Sequence, residues 1–243
     1  MTKQLLIYEE VVPLTTEAHA NSHMRLITDF EFARDLRIVP ILLSEFRKAC
    51  LDFPIVFISG EDQAPFPVAV LSLGAELNQY ISSGNEWNAG YIPAFIRRYP
   101  FVFTKSADDQ QYYLCIDQLC KNINQLGEGE RLFDEAGQPS AFTQQMLDFL
   151  KSYEIERKLT IDFCKELQDL NLVESKQLSS KQTSDNPETQ EVVRLSGFMT
   201  VDQSRVDTLT DQKLLSLRRQ GGLEAIAYHW ASLENFNNPR FSS

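Results

Sequence analysis

The chain has 243 residues, with 34 acidic side chains against 23 basic ones and a formal net charge of −11. A hydrophobic share of 43% is enough for one sizeable core, which excludes a wholly disordered chain. So acidic a surface repels phosphate backbones and anionic lipid heads, which argues against broad nucleic-acid or membrane binding.

Residues 4–12 read as a strand closed by Pro13, whose ring removes a backbone donor. The apolar run at its start meets Glu9 and Glu10 too soon to be a secretory h-region. No later stretch approaches the roughly 18 uninterrupted apolar residues that a membrane-spanning helix needs. Residues 15–27 are polar and carry His19 and His23. Ser44 is placed to cap a short helix ending near Leu51. Residues 54–58 and 67–73 read as two arms of a hairpin across a turn at 60–65.

Ser82-Ser83-Gly84-Asn85 is a loop that leads to Trp87 and Tyr91. Residues 94–99 have room for barely two helical turns before Pro100. Strands follow at 101–103 and 111–117, and a short amphipathic helix is expected at 119–126. Asp134 and Gly137 mark a turn, since the first folds back on its own backbone and the second tolerates positive φ. A long helix is expected from about 140 to 172, with Met146, Phe149, Leu150 and Tyr153 along one stripe that Thr160, Phe163, Cys164, Leu167 and Leu170 resume.

Residues 174–191 hold one large apolar side chain, Leu178, so a mobile loop is expected there. Residues 192–201 are strand-like again. Two helices complete the chain, one seeded by Val206, Leu209, Leu214 and Leu217, the other lined by Leu223, Ile226, Trp230 and Leu233. Gly221-Gly222 separates them. Strands joined by short turns, without regular alternation with helices, predict an α+β fold. The expectation is a mainly antiparallel sheet flanked by helices, in a single compact domain over 1–243 with a flexible late insertion.

Four cysteines, Cys50, Cys115, Cys120 and Cys164, lie scattered in apolar segments, which suits buried thiols in a reducing compartment. A cytoplasmic location is therefore expected. His19 and His23 are the best metal candidates, because a helix would put residues four apart on one face. Iron or zinc there is one reading, although no adjacent acid or cysteine completes the site and His229 would have to arrive from the far end of the sequence. Ordinary histidines in a polar turn are the other, and need no cofactor. Gly127-Glu128-Gly129 lacks the third glycine of a dinucleotide loop, and its acids would repel a pyrophosphate.

The segment from Trp87 to Phe101 concentrates aromatic side chains with Arg97 and Arg98. Trp87, Tyr91, Arg97, Arg98 and Tyr99 are the candidate ligand- or partner-binding residues. A core-packing corner fixed by Pro93 and Pro100 is the competing reading. Adjacent residues in a helix point about 100° apart, so one arginine should turn inward to a carboxylate and the other outward.

The order of landmarks resembles the SapC family. They are Glu45-Phe46, Phe53-Pro54-Ile55-Val56-Phe57, Leu73-Gly74, Trp87, the run from Tyr91 through Arg97-Arg98-Tyr99-Pro100-Phe101, Leu132-Phe133-Asp134-Glu135-Ala136-Gly137 and Leu195-Ser196-Gly197-Phe198. The resemblance implies a bacterial protein linked to surface layers. Similar proteins are encoded near flavin-dependent halogenase-like enzymes, cupin-like oxygenases and TonB-dependent receptors. That neighbourhood implies an accessory role. Since the sequence holds no complete catalytic constellation, the expectation is a non-catalytic binding or accessory protein of a modification, uptake or surface-layer system, with a protein partner such as a halogenase-like flavoprotein. The alternative is a metal-dependent, oxygenase-like enzyme using His19 and His23.

Overall fold

A computed structural model describes residues 7–60, 64–73, 77–105, 112–182 and 190–241. Helices and three antiparallel sheets give the expected α+β fold. The chain divides into two compact units. The first holds residues 1–34, 81–87 and 94–155, and the second holds 35–80, 88–93 and 156–243.

In the first unit, strands β1 (Val11–Pro13), β6 (Phe101–Lys105) and β7 (Tyr112–Asp117) form a sheet in the order β1-β7-β6. β1 is shorter than the strand expected over 4–12, of which 4–6 lie outside the described residues. The cause is Asp117, whose carboxylate accepts the backbone N–H groups of Glu9 and Glu10 at 2.9 and 3.0 Å. Those donors are thereby withdrawn from any ladder. A smaller sheet, β8-β2-β9, joins β2 (His23–Met24), β8 (Ile123–Asn124) and β9 (Glu130–Arg131).

The helix expected at 119–126 does not form. Asn124 takes the N–H groups of Leu126 and Glu128 on its side-chain oxygen and donates to the Glu128 carbonyl. Such local side-chain bonding competes directly with helical pairing. Helix α1 (Thr16–His19) is a single turn, capped by the Thr15 hydroxyl.

In the second unit, β3 (Ile38–Pro40), β4 (Ile55–Ser59), β5 (Pro65–Val70), β10 (Val173–Gln182) and β11 (Gln190–Val201) make a sheet in the order β10-β11-β4-β5-β3. The hairpin read from the sequence is β4–β5, with Val56 opposite Val68 and Phe57 opposite Pro67. Of the loop expected at 174–191, residues 174–182 and 190–191 lie in the β10–β11 ladder, and 183–189 lie outside the described residues. Ser44 is not a cap. It sits inside a 3-10 turn (Leu43–Glu45), and Glu45 accepts the Leu42 N–H at 2.8 Å ahead of α2 (Phe46–Ala49).

Helix α3 (Ala94–Arg97) is one turn, and the long helix is α4 (Ala141–Asp169), capped by Ser140. Through Ile155, α4 belongs to the first unit, and from Glu156 to the second. Of that stripe Leu150, Tyr153, Thr160, Phe163, Cys164 and Leu167 are buried, whereas Met146, Phe149 and Leu170 are half-buried. The penultimate helix is broken into α5 (Gln203–Asp207) and α6 (Asp211–Arg219), followed by α7 (Gly222–Ser232). Gly221 takes φ +72°, and a side chain on Gly222 would come within 3.0 Å of the Phe163 ring, which accounts for both glycines.

Candidate functional site

α3 and the residues after it separate the two arginines as helical geometry demands. Arg97 is exposed, with its guanidinium 5.3 Å from the centroid of the Phe149 ring. Arg98 is only 2% exposed. Its guanidinium carbon lies 4.2 Å from the Phe95 ring centroid, 5.0 Å from that of Tyr153 and 5.8 Å from that of Tyr8. Ring faces carry negative potential, so a desolvated guanidinium is stabilised there. Burial holds the Tyr8 hydroxyl well above its ordinary pKa, an effect that the Arg98 charge partly offsets, and that hydroxyl donates to the Phe101 carbonyl at 2.8 Å.

Tyr99 extends the same interior, its phenol also pushed up by burial and then by Cys120 and Asp117. On its other side the ring stacks on Phe32 at 4.1 Å, with the planes 15° apart. Phe32 lies 6.0 Å from Phe30, and Phe30 lies 5.7 Å from Trp87. Trp87, Phe30 and Phe32 are each half-buried, so a continuous aromatic run leads from the buried Tyr99 to the surface. Its polar border is organised. Arg34 bonds to the Asn85 side chain, to the Ser82 carbonyl at 3.0 Å and to Glu31 at 2.9 Å, while Asn85 also donates to Asp29 at 3.4 Å.

Trp87, Arg97, Arg98 and Tyr99 therefore fall in the first unit. Tyr91 falls in the second, where its hydroxyl donates to the buried Glu45 carboxylate at 2.8 Å and its N–H donates to Asp52 at 2.8 Å. Sequence reading found Trp87 and Tyr99 but missed Phe30 and Phe32, which lie some 55 residues upstream of Trp87 and stand among charged neighbours. The alternating pattern Phe30-x-Phe32 was the available signal.

His19 and His23 do not share a helical face, because α1 ends at His19 and His23 begins β2. The Nδ1 of His19 is held at the Thr15 backbone, 3.3 Å from its N–H and 3.2 Å from its carbonyl oxygen. That of His23 lies 3.1 Å from the Asn21 carbonyl. His229, considered as a third ligand, belongs to the second unit and has both ring nitrogens engaged. Nδ1 donates to the Ile55 carbonyl at 2.8 Å, and Nε2 accepts the Val201 N–H at 3.1 Å. Burial pushes its pKa down to about 4. Among the described residues, no group of three or more His, Cys, Asp or Glu side chains is arranged to hold a metal ion.

Cys115, Cys120 and Cys164 are buried free thiols and Cys50 is half-buried. Burial raises the pKa of each, that of Cys164 to about 12. The Asp134 turn forms as read, with Asp134 accepting from the Ala136 and Gln138 N–H groups and Gly137 at φ +73°. Gly129 has a packing reason: a side chain there would run into the Met24 carbonyl.

Cavities open in each unit. One, of about 510 Å³, lies in the first unit between β1, α1 and the segment around β8, and His19 lines it. Another, of about 260 Å³, lies in the second unit beside Arg205, whose guanidinium is already bound to Asp202, Asn171 and Val173. No helix among the described residues is long and apolar enough to cross a membrane. No curated protein and no solved structure matches the chain. The SapC family matches residues 14–238, nearly the whole chain and both units, and the protein is a member of the SapC family.

Proposed function

We propose that this chain is a non-catalytic binding or accessory protein of a bacterial modification, uptake or surface-layer system. The observation that carries the reading is the aromatic run Trp87–Phe30–Phe32–Tyr99, half-open to solvent at one end and anchored in the core at the other. Rigid, partly buried aromatic side chains with a hydrogen-bonded polar border are the composition of an interface hot spot. Arg97 adds an exposed cation in the same unit. The reading assigns the chain to the cytoplasm, with a protein partner such as a halogenase-like flavoprotein and no resident cofactor.

The test is co-purification of the tagged protein with a flavoprotein encoded beside it, read by flavin absorbance in the retained fraction. Trp87→Ala and Phe30→Ala should abolish retention while leaving the melting temperature nearly unchanged. Full retention by both variants overturns the reading. The metal-dependent alternative is separated by elemental analysis. Stoichiometric iron or zinc that disappears in His19→Ala and His23→Ala would replace an accessory protein with an enzyme.

A further inference from the structure

The cavity beside α1 is lined by polar side chains whose hydrogen-bonding capacity is unused. His19 is 8% exposed and Ser22 is 3% exposed, yet the Nε2 of His19 and the hydroxyl of Ser22 have no partner among the described residues. The carboxamides of Gln118 and Gln125 are exposed at its opening. None of these atoms is among the described buried side-chain groups that lack a partner, so each is open to the cavity, where it meets water or a ligand.

The lining specifies the chemistry of that ligand. Among the described residues that line it, none is Asp, Glu, Lys or Arg, in a chain with 57 such residues. A charged ligand would leave water without a counter-charge, at a steep desolvation cost. Carboxamides each present a donor and an acceptor side by side, and hydroxyl groups do both, which matches neighbouring hydroxyls on a ring. Val12, Pro13 and Ile123 supply an apolar wall for the C–H face of such a ring. An extended peptide is the poorer fit. It would seek the open edge of β1, where Pro13 has no N–H to give.

We infer that this cavity binds a neutral saccharide, held by His19, Ser22, Gln118 and Gln125 against the Val12–Pro13–Ile123 wall. A volume of about 510 Å³ accommodates one or two sugar rings. Thr15, Ala18, Gln118 and Gln125 are exposed, so one side stays open and the saccharide can continue into solvent. This site is distinct from the aromatic run around Trp87.

Saturation-transfer NMR with glucose, galactose, mannose and N-acetylglucosamine, each tested singly at millimolar concentration, reads the binding directly. At least one should receive saturation from the wild-type protein, while glucuronate and glucosamine should not. Gln118→Ala and Gln125→Ala, both at exposed positions that leave the fold intact, should each weaken the dissociation constant about tenfold. Ser22→Ala should do the same, and Trp87→Ala should leave binding unchanged. No transfer to any neutral sugar, equal transfer to the charged ones, or undiminished binding in the glutamine variants overturns the inference.

Discussion

Arg97 and Arg98 are chemically identical neighbours with opposite surroundings, one exposed over a single ring and one enclosed by three. Arg98→Ala empties a packed aromatic enclosure and is expected to cost about 3 kcal/mol or more, whereas Arg97→Ala should cost no more than about 1 kcal/mol. Thermal melts of the two variants measure the difference. The division was legible from the 100° step between adjacent helical residues. The rings around Arg98 were not, because Tyr8 and Tyr153 reach it from 90 residues before and 55 residues after in the chain. Nothing local in the sequence around His229 revealed that two backbone groups would consume both ring nitrogens. That arrangement requires the neutral imidazole. With its folded pKa lowered to about 4 from an ordinary 6.5, the unfolded chain takes up the proton first as pH falls. Its contribution is complete above about pH 6.5 and is lost on the way down to about pH 4, a change on the order of 3 kcal/mol. Urea denaturation at pH 7 and pH 4.5 should show this loss in the wild type and a shallower dependence in His229→Gln.

Elements that bury a whole stripe or a whole strand were the ones visible in advance. The helix α4 and the β4–β5 hairpin formed where hydrophobic period and turn residues agreed. Elements decided by a single polar side chain were not visible. Asp117 truncated β1 from more than 100 residues away, and Asn124 replaced a helix with a turn. Thr160 works in the same way within the second unit. Its hydroxyl donates to the Glu156 carbonyl at 2.8 Å and accepts the Leu43 N–H at 2.9 Å, fastening the 3-10 turn to α4. Thr160→Val keeps the shape and leaves that N–H without a partner, which should cost about 1–3 kcal/mol in chemical denaturation. A smaller loss would mean that water replaces the hydroxyl.

Neither compact unit is a continuous stretch of chain. The backbone passes from one to the other after residues 34, 80, 87, 93 and 155. Units interleaved in this way cannot be separated by one cut, so differential scanning calorimetry is expected to show one transition whose calorimetric and van't Hoff enthalpies agree. Two resolved transitions would establish independent folding. Proteolysis is expected first within 183–189, a polar tract without a large apolar residue, and the fragments should stay associated through the β10–β11 ladder.

The grip of α7 on Ile55 has a consequence during synthesis. The Ile55 N–H donates to Ser232 at 2.9 Å while its carbonyl accepts from His229, so both polar groups of one residue in β4 wait for a helix more than 170 residues downstream. At a ribosomal rate of roughly 5–20 residues per second, that wait lasts about ten to thirty seconds. Throughout it the two Ile55 groups have only water to bond to, and the nascent β4–β5 pair lacks α7. A polypeptide that stops before residue 229 would thus lack both partners of Ile55 and present this strand pair to chaperones and proteases.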